Sequence, residues 1–329
     1  MKKLTLVILS MTLTFLLASC SLSLVGKPTP FPTAVVLPTL TPVIAPTVTP
    51  GLPSPTATIA VPTVTPGVPP APTSNVATPG GIIPGIPSGP YGVINVAPAD
   101  VLNVRSGPGA GYGIIGSFAS TATNVMRAGP SAIIGGDTWV QLQSPNGWVN
   151  SAYLTAYVSP ATFCADGNVN TLITNLGNAL KSSNGQLLAS LVSPVHGMTV
   201  HLWLHERGIT FDREHAPWVF TSTYSHNWGI HPASGLDTTG SFHEVVLPKL
   251  LDVFNAPAPG YTLSCNSVQT GGASYDTSWP SVYANVNYYS LYKPGPAGNE
   301  LSWRTVLVGV EYVNGLPYVF SLTQLEWEP

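Results

Sequence analysis

The pattern of apolar and polar positions changes abruptly along the chain. Leu4 to Leu17 is a nearly unbroken apolar run behind Lys2 and Lys3. It falls short of the ~20 residues a helix needs to cross ~30 Å of hydrocarbon, so it reads as a cleaved export signal over residues 1–19. Between Lys27 and Asp100 no residue is charged, and proline and threonine recur, as in Pro28-Thr29-Pro30, Thr41-Pro42 and Thr47-Val48-Thr49-Pro50. Each proline lacks an amide donor and disfavours helix at the residue before it, and the large apolar residues are too scattered for a core. Residues 20–90 are therefore expected to be an extended polyproline linker. At ~3.1 Å per residue it reaches on the order of 150 Å or more.

Period-two alternation begins near Tyr91. Leu102 to Arg105 predicts a strand running into a Gly-rich turn, Ser106-Gly107-Pro108-Gly109. Tyr112, Ile114, Ile115, Gly116 and Phe118 predict the next strand, Asp137 to Leu142 another, and Gly147-Trp148-Val149 through Tyr153-Leu154 closes a small all-β domain over residues 91–158. Ala128 to Gly136 is apolar with little charge and is expected to be a loop.

From Ser159 the period lengthens. Val169, Leu172, Ile173, Leu176 and Leu180 fall on one helical face, and Asn184-Gly185 separates them from a second short helix through Leu187, Leu188 and Leu191. Met198 to His205 alternates as a half-buried strand. Ser241 followed by Glu244 forms a capping box at the head of a helical pattern that runs to Phe254. Pro280–Tyr292, Leu301–Val313 and Leu316–Glu326 read as strands, and Asn314-Gly315 is a two-residue hairpin signal between the last two. Helices followed by a meander predict an α+β domain over residues 159–329, a curved antiparallel sheet packed on helices, with a cystatin-like or nuclear-transport-factor-like cone as an analogy of element order.

Charge is sparse, 8% of 329 residues with a formal net charge of −3. No basic patch suits nucleic acid. The stretch Leu17-Ala18-Ser19-Cys20 resembles the bacterial lipobox. That resemblance implies cleavage before Cys20, lipid on its thiol, anchoring to the cell membrane through more than one acyl chain, and an extracytoplasmic location. Of the three cysteines it leaves Cys164 and Cys265, an even pair in an oxidising compartment, expected to form a disulfide.

The run LNVRSGPG, then YGIIG, then GGDTWVQLQSPNGWVNSAYL, resembles the bacterial SH3-like (SH3b) family over residues 91–158. The resemblance implies a small bent barrel and a peptidoglycan or surface-peptide ligand. Tyr112, Tyr153 and the loop Ser144–Gly147 are where such a ligand is expected, with Trp139 and Trp148 in the core. Leu188 through Gly197, Trp228-Gly229, Gly240-Ser241-Phe242 and Trp327 resemble an uncharacterised domain of bacterial surface lipoproteins, which implies no activity.

All seven histidines lie between His196 and His243. On one strand His201 and His205 sit roughly 13 Å apart, too far to share a zinc. Ser225 to His231, with Asp237, faintly resembles the start of zinc D-Ala-D-Ala carboxypeptidase motifs, but the further downstream histidine those enzymes use is missing. No Gly-x-Ser-x-Gly elbow is present. No catalytic, metal or cofactor site is therefore assigned. His226, Trp228 and His231 are expected ligand contacts in a cleft. The leading expectation is a non-enzymatic surface binding module; the alternative is a wall hydrolase with an acid or metal site around His226, His231, Asp237 and Glu244.

Overall fold

The computed structural model describes residues 89–257 and 260–327. The expected signal peptide, Cys20 and the expected linker as far as residue 88 lie outside the described residues, which all belong to one compact unit. No described helix is long and apolar enough to cross a membrane.

The first part is all β: β1 (Tyr91–Val93), β2 (Val101–Arg105), β3 (Ile114–Ala119), β4 (Arg127–Ile134), β5 (Asp137–Leu142), β6 (Trp148–Asn150) and β7 (Leu154–Ala156). Five strands make an antiparallel sheet in the order β3-β2-β6-β5-β4, and β1 pairs with β7. Both sheets send side chains into one core, with Tyr91 and Val93 from β1, Val104 from β2, Val140 and Leu142 from β5, and Leu154 from β7. The segment expected to be a loop, Ala128 to Gly136, is strand β4 and its turn. Gly135 and Gly136 both hold positive φ, as a two-residue hairpin requires, and Ala132 points inward while Ile133 faces out. Its uniformly apolar composition hid the alternation.

The second part begins with α1 (Pro160–Ala165), α2 (Gly167–Lys181) and α3 (Gly185–Leu191), the last two where apolar periodicity places them. Asp166 and Asn184 cap α2 and α3 through side-chain oxygens. There follow β8 (Met198–His201), β9 (Ile209–Phe211), the two-stranded ribbon β10 (His226–Ile230) and β11 (Asp237–Gly240), α4 (Leu247–Phe254), β12 (Thr262–Cys265), β13 (Asn287–Lys293), β14 (Arg304–Val313) and β15 (Leu316–Glu326). The capping box forms as read, Glu244 closing back on Ser241, but it opens a π turn over Phe242–Val246 ahead of α4. Asn314-Gly315 turns β14 into β15 with both residues at positive φ.

The large sheet runs β12-β13-β14-β15-β8-β9. It is mixed rather than antiparallel throughout, because β8 pairs in parallel with β15. The helix-side core joins Leu172, Ile173 and Leu176 of α2 to Val306, Val308 and Leu322 of the sheet. The opposite face carries Tyr288, Trp303, Leu307 and Leu325, covered by Val268, Tyr275 and Trp279. Cys164 of α1 is bonded to Cys265 of edge strand β12, with 5.8 Å between Cα atoms. Three expected strands are shorter than read. β8 leaves the sheet at His201, the chain from Pro280 makes a 3-10 turn at Ser281–Tyr283 before β13 starts, and another at Glu300–Ser302 delays β14 to Arg304.

The small β part is joined to the large sheet through specific contacts. Asn285 Nδ2 donates to the Val93 carbonyl at 2.8 Å and to Ala122 at 3.0 Å, and Ile94 is buried among Tyr283, Val286 and Phe320. Thr155 on β7 donates to the buried Glu311 carboxylate, which also takes Ser193 Oγ and lies 2.7 Å from His196 Nδ1.

Candidate ligand groove and the imidazole cleft

A groove of about 500 Å³ opens on the small β part. Four segments build it: the turn from Asn95 into β2, the turn after β2 at Ala110, the start of β5 at Asp137 and Trp139, and the β6 end with the turn carrying Asn150 and Tyr153. Most of its side chains carry an amide, carboxylate, guanidinium or hydroxyl. Asp100 Oδ1 accepts from Val101 N at 2.7 Å, which fixes the carboxylate at the mouth of β2. Asn150 Oδ1 accepts from Ala152 N at 2.9 Å and so holds the turn that presents Tyr153, 38% exposed. Asn95 sits at positive φ, donates its side chain to Ala152 O and its backbone N to Val282 O, and thereby ties one rim to the 3-10 turn ahead of β13. Trp139 lines the groove as a buried residue, and its Nε1 has no hydrogen-bond partner among the described residues. An aromatic floor beside clustered donors and acceptors is the arrangement that recognises sugars and peptide backbone.

Of the residues expected here, Tyr153 lies in the groove. Tyr112 is half exposed, but it stands off to the side: its ring covers Gly107, where no Cβ would fit, and its carbonyl accepts from Arg105 Nη1 at 2.8 Å. In the Ser144–Gly147 loop Pro145 packs against Gly116 and Gly147 against Val104, while Ser144 and Asn146 are exposed, and the loop does not line the groove. Asp100, Asn103, Asp137 and Asn150 were not singled out from the sequence. They come from distant segments, and nothing local distinguishes them from surface polar residues.

In the second part, His226 lines an apolar cleft of about 450 Å³ with Phe211, Tyr224, Phe242, His215 and Asp212. Burial pushes the His226 imidazole below its ordinary pKa, while the hydrogen bond that exposed His215 donates from Nδ1 to Asp212 Oδ1 at 2.8 Å lifts His215 above it. Trp228 is not a ligand contact: it is fully buried in the helix-side core and donates Nε1 to Gly240 O at 2.9 Å. His231 lies outside the cleft lining, against Trp203 at 4.5 Å between ring centroids, with Nδ1 accepting from Ala233 N.

The four side chains named for a hydrolytic centre each answer to a different neighbour. His226 packs on Tyr224, His231 accepts from its own turn, Asp237 takes Asn227 Nδ2, and Glu244 caps Ser241. Among the described residues no three His, Cys, Asp or Glu side chains are grouped to hold a metal. Glu244 is held below the usual carboxylate pKa by hydrogen bonds from Ser241, the opposite of what a general acid needs.

No family model, curated protein or solved structure matches the chain, so its function is argued from this geometry.

Proposed function

We propose that the chain is an extracytoplasmic binding protein, lipid-anchored at Cys20, that holds an SH3b-type domain away from the membrane on its Pro/Thr linker to contact peptidoglycan or a surface peptide. The observation that carries the reading is the groove. Asp100, Asn103, Arg105, Asp137 and Asn150 surround Trp139 and Tyr153, offering hydrogen bonds along the edge of a glycan or peptide and flat aromatic surface beneath it. The antiparallel order β3-β2-β6-β5-β4 with the added β1–β7 pair suits a small bent barrel of the SH3b kind.

Two measurements test this. Mature wild-type protein should cosediment with purified peptidoglycan sacculi at low salt, and Tyr153→Ala should reduce retention about tenfold, the loss of one aromatic anchor. Equal retention of both proteins would overturn the groove. Cys20→Ser should move the protein from the membrane to the soluble extracytoplasmic fraction, and continued membrane association would overturn the anchor.

A further inference from the structure

Ser321, Thr323 and Gln324 of β15 each bury a side-chain polar atom without a partner among the described residues, and Gln324 alone leaves both ends of an amide unmet. Leu322, Gln324 and Glu326 lie on the same face of β15 by strand alternation, and Leu322 is sealed into the helix-side core together with Val306, the cross-strand partner of Gln324. Gln324 is 3% exposed, yet neither its amide nitrogen nor its amide oxygen has a hydrogen-bond partner among the described residues. Unpaired buried polar atoms destabilise a fold, and an apolar residue would suit this position better unless something else meets the amide.

There is room for it. β15 pairs with β8 only as far as Thr323↔His201, after which the chain turns away through Leu202 and Trp203. A cavity of about 140 Å³ lies where β8 departs, lined by Gln324 with Trp203, Leu204 and Ile230 as apolar walls and Glu206 and Glu326 as acids. Glu326 is tied to Lys249 and Arg304, and Lys249 Nζ stands 4.7 Å over the Trp203 ring, so this wall is fixed in place.

We propose that this cavity binds a primary carboxamide, R–CONH₂, independently of the groove on the small β part. At ~30 Å³ per water-sized group, the space holds roughly four or five non-hydrogen atoms, the size of acetamide or propionamide. A primary amide offers a carbonyl acceptor and an N–H donor on the same side, so it pairs with both ends of the Gln324 amide at once. An N-alkylated amide in its usual trans form has lost that N–H, and a carboxylate has no donor and meets Glu206 and Glu326.

The test titrates the mature chain with propionamide, N-methylpropionamide and propionate, following chemical shifts of the Gln324 side-chain amide. Propionamide should bind near the millimolar range expected of a five-atom fragment, with the other two at least tenfold weaker. A peptide ending in glutamine set against propionamide separates a peptide-borne source from a free small amide. Gln324→Leu should lose binding while keeping or raising thermal stability, which shows that it folds; Tyr153→Ala should bind propionamide like wild type, whatever its effect on sacculus retention. Equal binding of the three probes, undiminished binding by Gln324→Leu, or a propionamide-soaked crystal with only ordered water beside Gln324 would each overturn the proposal.

Discussion

His196 gives the junction between the two parts a pH dependence. Burial alone lowers its pKa, but the hydrogen bond and charge of Glu311 outweigh burial and raise it above the ordinary 6.5. A raised histidine contributes stability that is fully present below its unfolded pKa and is lost as pH rises through the folded one. Wild type should therefore lose stability relative to His196→Gln as pH climbs from about 6 into the alkaline range, read as the gap between their urea midpoints. Parallel profiles would show that the pair does not titrate as described. His201 and His226, lowered mainly by burial, act in the opposite sense, and the single variant separates their effect from that of His196. At this scale the sequence was legible where a residue's neighbours are local. Tyr153, expected at a groove, stands beside its own turn and lines one. Trp228, expected to face a ligand, lies in the core, and an aromatic between His226 and His231 looks the same in sequence either way. Gln324 sits in the run Leu322–Glu326, where strand alternation places it but says nothing about the hydrogen bonds its amide lacks.

Elements whose signals are short-range emerged as read: α2 from its apolar stripe, the β14–β15 hairpin from Asn314-Gly315, and the capping box from Ser241 and Glu244. Ser241→Ala should lower stability by about 0.5–2 kcal/mol, the usual range for a lost N-cap, measured by denaturant unfolding. A change near zero would mean that the π turn holds without its cap. The Cys164–Cys265 bond closes a loop with a sequence separation of 101, so reducing it should destabilise the fold by up to about 4.7 kcal/mol in the chain-entropy model. An unchanged midpoint in reductant would contradict that contribution. What the sequence concealed was non-local. The parallel pairing of β8 with β15 joins strands about 120 residues apart, and β4 lost its alternation among uniformly apolar neighbours.

At the scale of the molecule, the described parts are one body. Asn285 donates to two carbonyls of the small β part, Ile94 fills a pocket of the large sheet, and Thr155 reaches Glu311. The mature protein should consequently melt in one cooperative transition. Asn285→Ala, which leaves the Val93 and Ala122 carbonyls without this donor, should lower that transition by about 1–3 kcal/mol or split it in two; a wild type that already melts in two steps would contradict the coupling. This body builds two unlike openings from different stretches of the chain: a polar groove around Trp139 and Tyr153, and an apolar imidazole cleft around Tyr224 and His226. The measurement that separates them is a calorimetric titration of the mature protein with soluble peptidoglycan fragments. The account predicts that Tyr153→Ala weakens binding about tenfold while His226→Ala leaves it unchanged. The reverse pattern would place the ligand in the other cleft and contradict the central claim.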